Sequence, residues 1–178
     1  MRILPNRILT NRFVLRPLTV ADVSDRYARW LSDQATSLHI ISAASILDLA
    51  GLRQYVMDRS GREEVLFLGI FEKTSELHIG NIKYEPVDSE LGYATMGILI
   101  GEPDWRGKGV AAEVLCASAQ WLRQHRNISQ IVLGVSRTNT AAIQAYKKIG
   151  FIEESTKFVP VVSMENKSMV WHLASSDP

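Results

Sequence analysis

Between Met96 and Gln124 the chain changes its hydrophobic period across a loop that carries two glycines, and few folds accommodate that change. Met96-Gly97-Ile98-Leu99-Ile100, the apolar centre of Thr95 to Gly101, has the length of a buried strand. Past the loop, Val110, Val114, Ala117 and Trp121 recur at helical spacing through Gln124, with Ala111, Leu115, Ser118 and Leu122 beside them. Gly107 and Gly109 stand where the helix begins, and without a Cβ they let backbone N–H groups approach a ligand closely. The helix start adds unpaired donors and about half a positive charge. Arg106 and Lys108 add full charges, so the segment predicts a phosphate or pyrophosphate cradle.

The same residues satisfy Gly107-x-Gly109-x-x-Ala112, a dinucleotide fingerprint, but the context is wrong. That turn should come straight off its strand, whereas Glu102 to Arg106 intervene here. The next strand, Ile131-Val132-Leu133-Gly134-Val135, also lacks the acid that would hold a ribose. No Gly-Lys-Ser/Thr follows, which excludes a P-loop.

The rest of the chain reads as one sheet with flanking helices. Arg12 to Arg16 alternates like a half-buried strand closed by Pro17, and Thr19 with Asp22 forms a cap pattern before a helix carrying Tyr27, Trp30 and Leu31. A polar stretch runs from Ser32 to Ser45, and a second helix is expected from Ile46 to Asp58. Val65 to Phe71 and His78 to Tyr84 read as a hairpin turning near Lys73 to Glu76. Ile131 to Val135 is a strand, and Asn139 to Ile149 a short helix closed by Gly150. Phe158 to Val162 and Met169 to Leu173 are expected as two last strands around Glu165-Asn166. This order predicts an α+β (mixed α/β) fold, a single domain over residues 1–178.

Twenty Lys+Arg against nineteen Asp+Glu argue against a nucleic-acid binder, and no apolar run spans a bilayer. Met1 to Arg7 lacks a signal-peptide core. The single cysteine, Cys116, can form neither an internal disulfide nor a zinc site alone, and is expected to be buried packing. A reduced, cytoplasmic setting without metal is the expectation.

Two motifs in order carry a resemblance. Arg106-x-x-Gly109-x-Ala111 resembles the pyrophosphate loop of the GNAT superfamily of acyl-CoA-dependent N-acyltransferases. Val135-x-x-x-Asn139-x-x-Ala142-Ile143-x-x-Tyr146-x-x-x-Gly150-Phe151 resembles its second half, so the likeness is clearest from Thr95 to Phe151. Phe13 to Leu18 and Trp30 to Asp33 are similar to the ribosomal-protein N-terminal and spermidine acetyltransferase branch.

The resemblance implies a mostly antiparallel twisted sheet, splayed where acetyl-CoA enters. Ile98, Leu99 and Ile100 would offer backbone groups to the pantetheine arm, and Gly107, Lys108, Gly109, Val110 and Ala111, with Arg106, would hold the pyrophosphate. Asn139 would bind the cofactor, although it also reads as a helix N-cap; Tyr146 would sit beside the sulfur as general acid, although its register also suits core packing. Relatives often place Glu where Thr95 stands, which leaves the base open; Glu90 and Glu85 are favoured, with Asp88, Tyr93 and His78 nearby. The expected reaction moves an acetyl group to a primary amine, on a small molecule such as an amino sugar or polyamine, with a protein N-terminus as the alternative. A non-catalytic acyl-CoA-binding protein of the same fold also remains open, as does a homodimer.

Overall fold

The computed structural model describes residues 5–32, 48–159 and 165–174. Its elements are β1 (Ile8–Leu9), β2 (Phe13–Pro17), α1 (Asp25–Ser32), α2 (Leu49–Arg59), β3 (Leu66–Glu72), β4 (His78–Asp88) and β5 (Tyr93–Ile100). After the glycine loop come α3 (Val110–Arg126), β6 (Gln130–Ser136), α4 (Thr140–Ile149), β7 (Ile152–Glu153) and β8 (Asn166–His172).

The strands form one sheet in the order β1-β2-β3-β4-β5-β6-β8-β7. Every pairing is antiparallel except β5 with β6. That parallel pair is joined through α3, as a parallel connection requires a long crossover.

Alternation along the strands supplies two cores. On one face Phe13, Leu15, Ile82, Tyr84, Met96 and Ile131 pack with Val114, Leu115 and Leu122 of α3 and with Ile143 of α4. On the other, Leu18, Tyr27, Trp30, Leu52 and Val56 bury α1 and α2, with Phe67 and Leu99 reaching up from the sheet. The first core carries one buried hydroxyl pair, Tyr84 Oη to Ser118 Oγ at 2.7 Å, which satisfies both groups where water is excluded.

Several expectations are corrected. Thr19 and Asp22 do form a capping box, but around a 3-10 turn over Val20–Asp22, and α1 begins after it. Of the strand expected over Phe158 to Val162, Phe158 and Val159 lie in a turn, with the Phe158 ring stacked on Tyr93 at 3.8 Å, and residues 160–162 fall outside the described residues. An apolar pair can be satisfied by such packing as well as by a ladder. β8 pairs with β6 on one side and on the other with β7, which is delivered to the sheet edge directly from the Gly150 cap. Cys116 is exposed on the outer face of α3, because Val114, Leu115, Ser118 and Ala119 already fill the inner one. The expected polar stretch from Ser32 to Ser45 falls, from residue 33 on, outside the described residues.

Among the described residues, no helix is long and apolar enough to cross a membrane.

Candidate active site

Thr95 marks the point where the sheet opens. β5 pairs with β6 through Tyr93↔Gln130, Ala94↔Ile131 and Thr95↔Val132, and no further. Both strands continue: β5 stays on β4 to Ile100↔Gly80, and β6 stays on β8 to Ser136↔Asn166. Opposite Thr95, β4 carries two residues, Glu85 and Pro86, between the pairs Tyr84↔Met96 and Val87↔Ala94. Such a bulge bends its strand and increases local twist. Beyond it, the edge of β5 from Met96 to Ile100 is free of β6; the Leu99 carbonyl faces β4, which leaves the backbone groups of Ile98 open to a strand-like ligand.

The fork leads to the glycine loop. A 3-10 turn over Pro103–Trp105 precedes it, and Trp105 packs edge-on against Phe13 at 5.3 Å, so this indole supports the loop from beneath. Gly107 has φ +71° and Gly109 φ +74°, left-handed values that strain any side chain. A Cβ at Gly107 would meet nothing within 4 Å, and one at Gly109 only Arg12 Nη2 at 3.9 Å, so both would project into open space over the loop. Gly109 caps α3 without a side-chain bond, leaving the first amides of a 17-residue helix exposed to that space. This geometry fits a pyrophosphate. Lys108 is exposed beside it. Arg106 is turned inward, its Nε donating to the Ile100 carbonyl at 3.0 Å and its Nη2 to Gly101 at 2.9 Å, so it braces the loop against the end of β5.

The second motif places two groups on α4. Asn139 is the N-cap, its side chain accepting from Ala142 N–H at 3.2 Å. Tyr146 packs against the core that includes Ile98, Ile100 and Val135, with its ring 5.5 Å from Phe151. Its hydroxyl has no hydrogen-bond partner among the described residues, and burial pushes its pKa up to about 12. It is therefore a phenol at any physiological pH.

The two favoured carboxylates are far apart in setting. Glu90 sits in the exposed turn between β4 and β5, at the closed end of the fork. Glu85 lies in the bulge opposite Thr95, where three cations surround it. Lys83 Nζ and Arg59 Nε reach its Oε2 at 2.8 and 2.9 Å, and Arg62 Nη1 its Oε1 at 3.2 Å. Burial works to raise its pKa, but the hydrogen bonds and charges of Lys83 and Arg59 win and hold it below the usual carboxylate range. His78 is enclosed by Phe71, Trp30 and Tyr27, and burial lowers its pKa. It is a neutral ring 2.8 Å from Asn81 Oδ1.

Sequence reasoning missed Tyr55, Arg59 and Lys83. Lys83 Nζ donates to Tyr55 Oη at 2.7 Å, and the Arg59 guanidinium lies 3.6 Å from the Tyr55 ring centre. The available signal was Lys83 itself, the one Lys, Arg, Asp or Glu inside the strand read over His78 to Tyr84.

The family model of the acetyltransferase (GNAT) domain matches residues 12–152, which takes in both the fork and the glycine loop. The chain belongs to the GNAT acetyltransferase family. Its GNAT relatives include an N-acetyltransferase p20 of Bacillus licheniformis, 24% identical over 148 residues, covering 83% of each chain. Among solved GNAT structures, RimL, a ribosomal L7/L12 α-N-protein acetyltransferase in complex with coenzyme A, superposes with a TM-score of 0.79 at 14% identity, covering 94% of this chain and 98% of that one. A spermidine N-acetyltransferase SpeG chimera from Vibrio cholerae and hSSAT gives 0.75 at 18% identity, covering 91% and 96%. These likenesses show the GNAT fold, and the chain is a GNAT N-acetyltransferase.

Proposed function

We propose that the chain moves an acetyl group from acetyl-CoA to a primary amine on a small molecule, by direct attack in the cleft between β5 and β6. The observation that carries this reading is the fork at Thr95, whose free β5 edge runs straight into the glycine loop. The amides from Gly107 to Ala111, with Lys108, hold the pyrophosphate; Arg106 fixes the loop, and Asn139 adds a contact from the start of α4. Of Ile98, Leu99 and Ile100, Ile98 holds the pantetheine arm through its backbone, since the Leu99 carbonyl faces β4 and the Ile100 carbonyl accepts from Arg106.

The amine attacks the thioester carbonyl, and a backbone N–H on the open edge of β5 stabilises the oxyanion that forms. Tyr146 donates its proton to the departing sulfur, for which an unpartnered, protonated phenol is suited. The incoming ammonium gives its proton to water or to Glu85, the carboxylate at the level of the fork; Glu90 would act only through a longer water chain. Because Glu85 is held ionised, it is a weak proton acceptor, and free amine is the reactive species. Amino sugars and polyamines are the acceptor classes proposed.

A second reading, binding of acyl-CoA without transfer, draws on Thr95, which has no carboxylate to offer beside the fork. The deciding experiment is free-thiol release from acetyl-CoA with polyamines, amino sugars and peptide N-termini. Saturable release with a small amine, with the N-acetyl product seen by mass, is the expected result. CoA binding with no release across the panel would favour the second reading, and release with peptides alone would move the acceptor to a protein N-terminus.

A further inference from the structure

The face of β4 and β5 that α2 covers has more hydrogen-bond donors than its carboxylates take up. Residues two apart on a strand, and residues directly opposite, share a face. Asn81 and Lys83 on β4 therefore stand in one row with Leu99 and Gly97 on β5, the pairs being Asn81↔Leu99 and Lys83↔Gly97, and Thr95 continues that row. Gly97 is exposed, and a Cβ there would meet nothing within 4 Å, so the row carries open space just past the apex of the fork at Thr95.

An ammonium has three N–H donors. Lys83 uses two, to Tyr55 Oη and Glu85 Oε2, and the third has no partner among the described residues. Tyr55 accepts from Lys83 and donates to none of them. Thr95 Oγ1 and Asn81 Nδ2 are buried with no hydrogen-bond partner, although Asn81 as a whole is only 4% exposed. Arg59 and Arg62 bring two more positive charges to the same place. Among the described residues, two carboxylates face this group: Glu64, whose Oε1 accepts from Arg62 Nε and Nη2, and Glu85, both of whose oxygens are taken by Lys83, Arg59 and Arg62, so Lys83 keeps a donor to offer and one positive charge remains in excess.

A buried donor left unpaired is costly, and a ligand that supplies oxygen atoms recovers that cost. A polyamine supplies only further donors and positive charge. On the transfer reading proposed above, we infer that the acetyl acceptor is a compact amine bearing a carboxylate or phosphate, and that Lys83 and Tyr55 bind this anion beside Gly97 while the amine enters the fork. Thr95 contributes a neutral hydroxyl to the same row. Lys83 and Tyr55 are thus specificity residues, and Glu85 positions Lys83.

The test uses the full chain with acetyl-CoA and matched amines: glucosamine against glucosamine 6-phosphate, ethanolamine against phosphoethanolamine, alaninamide against alanine, and spermidine. The expected result is that the anionic member of at least one pair has a kcat/KM higher by about tenfold or more, as a hydrogen bond to a charged group allows. Whether that pair carries phosphate or carboxylate names the anion. Lys83→Gln and the milder Tyr55→Phe, which keeps the ring under Arg59, should each raise KM for that amine by about tenfold while kcat and CoA affinity hold. A preference for the neutral amines or for spermidine would overturn the inference and leave transfer standing, as would two variants that leave the anion preference intact. No thiol release with any amine, in a protein that binds CoA, would instead overturn the transfer reading, and this inference with it.

Discussion

Arg12 donates from Nη2 to the carbonyl of Lys108 at 3.0 Å, which ties the turn before β2 to the glycine loop. The same guanidinium pairs through Nε with Glu113 Oε2 at 2.7 Å. Glu113 Oε1 in turn accepts from Thr10 Oγ1 at 2.6 Å and from Arg12 N–H at 2.7 Å. With the Lys108 carbonyl held inward, the neighbouring amides are left facing outward. A carboxylate in the first turn of α3 would otherwise repel a pyrophosphate, and Arg12 offsets it.

Removing Arg12 should therefore weaken nucleotide binding more than it weakens the fold. Arg12→Ala is expected to raise the CoA dissociation constant by about fivefold, the worth of one net hydrogen bond of about 1 kcal/mol. The melting temperature should move little, because the pair is partly exposed and such pairs contribute about 0–1 kcal/mol. Calorimetric titration with CoA beside a thermal melt checks both; unchanged affinity would separate Arg12 from the loop's function.

The pH dependence of the rate should belong to the amine. Tyr146, with its pKa pushed up to about 12, stays protonated through the working range, and Glu85 is ionised throughout. For an alkylamine of pKa about 10, kcat/KM should rise about tenfold per unit between pH 6 and 9. Glu85→Gln should keep that slope even if it lowers the rate. A plateau above pH 7 that disappears in one variant would identify a protein base instead.

His78 should make the fold sensitive to mild acid. Its pKa is lowered by burial among Phe71, Trp30 and Tyr27, so the unfolded chain binds a proton that the folded chain does not. Stability then falls as pH drops below the unfolded value of about 6.5, by at most about 1.4 kcal/mol per unit. Glu85, Glu113 and Asp22 have lowered pKa values, and their contributions are lost only at more acid pH. Urea unfolding at pH 7, 6 and 5 should show this slope in the native chain and lose it in His78→Phe. A slope that persists in the variant would place the acid sensitivity elsewhere.

The glycine loop, α3 and the hairpin of β3 and β4 were legible because each rests on local chemistry: hydrophobic period, turn residues and helix ends. The fork was legible only through the family resemblance. Its physical cause, the Glu85–Pro86 bulge opposite Thr95, depends on register between strands, which no local pattern records. The Tyr55–Lys83–Glu85–Arg59 group was missed for a related reason. Its members come from α2 and β4, and only tertiary packing makes them neighbours. The error at Phe158 was of another kind, since apolar residues in a row satisfy a strand and a packed turn equally well.

The most direct measurement compares turnover and CoA affinity in Tyr146→Phe. If acetyl-CoA lies in the fork with its sulfur at the phenol, kcat should fall by about 10²–10⁴-fold, the range for a lost general acid. The CoA dissociation constant should stay near that of the native chain, because the loop amides are untouched. A kcat that survives, or an affinity that falls in step with it, would contradict the placement of the thioester beside Tyr146.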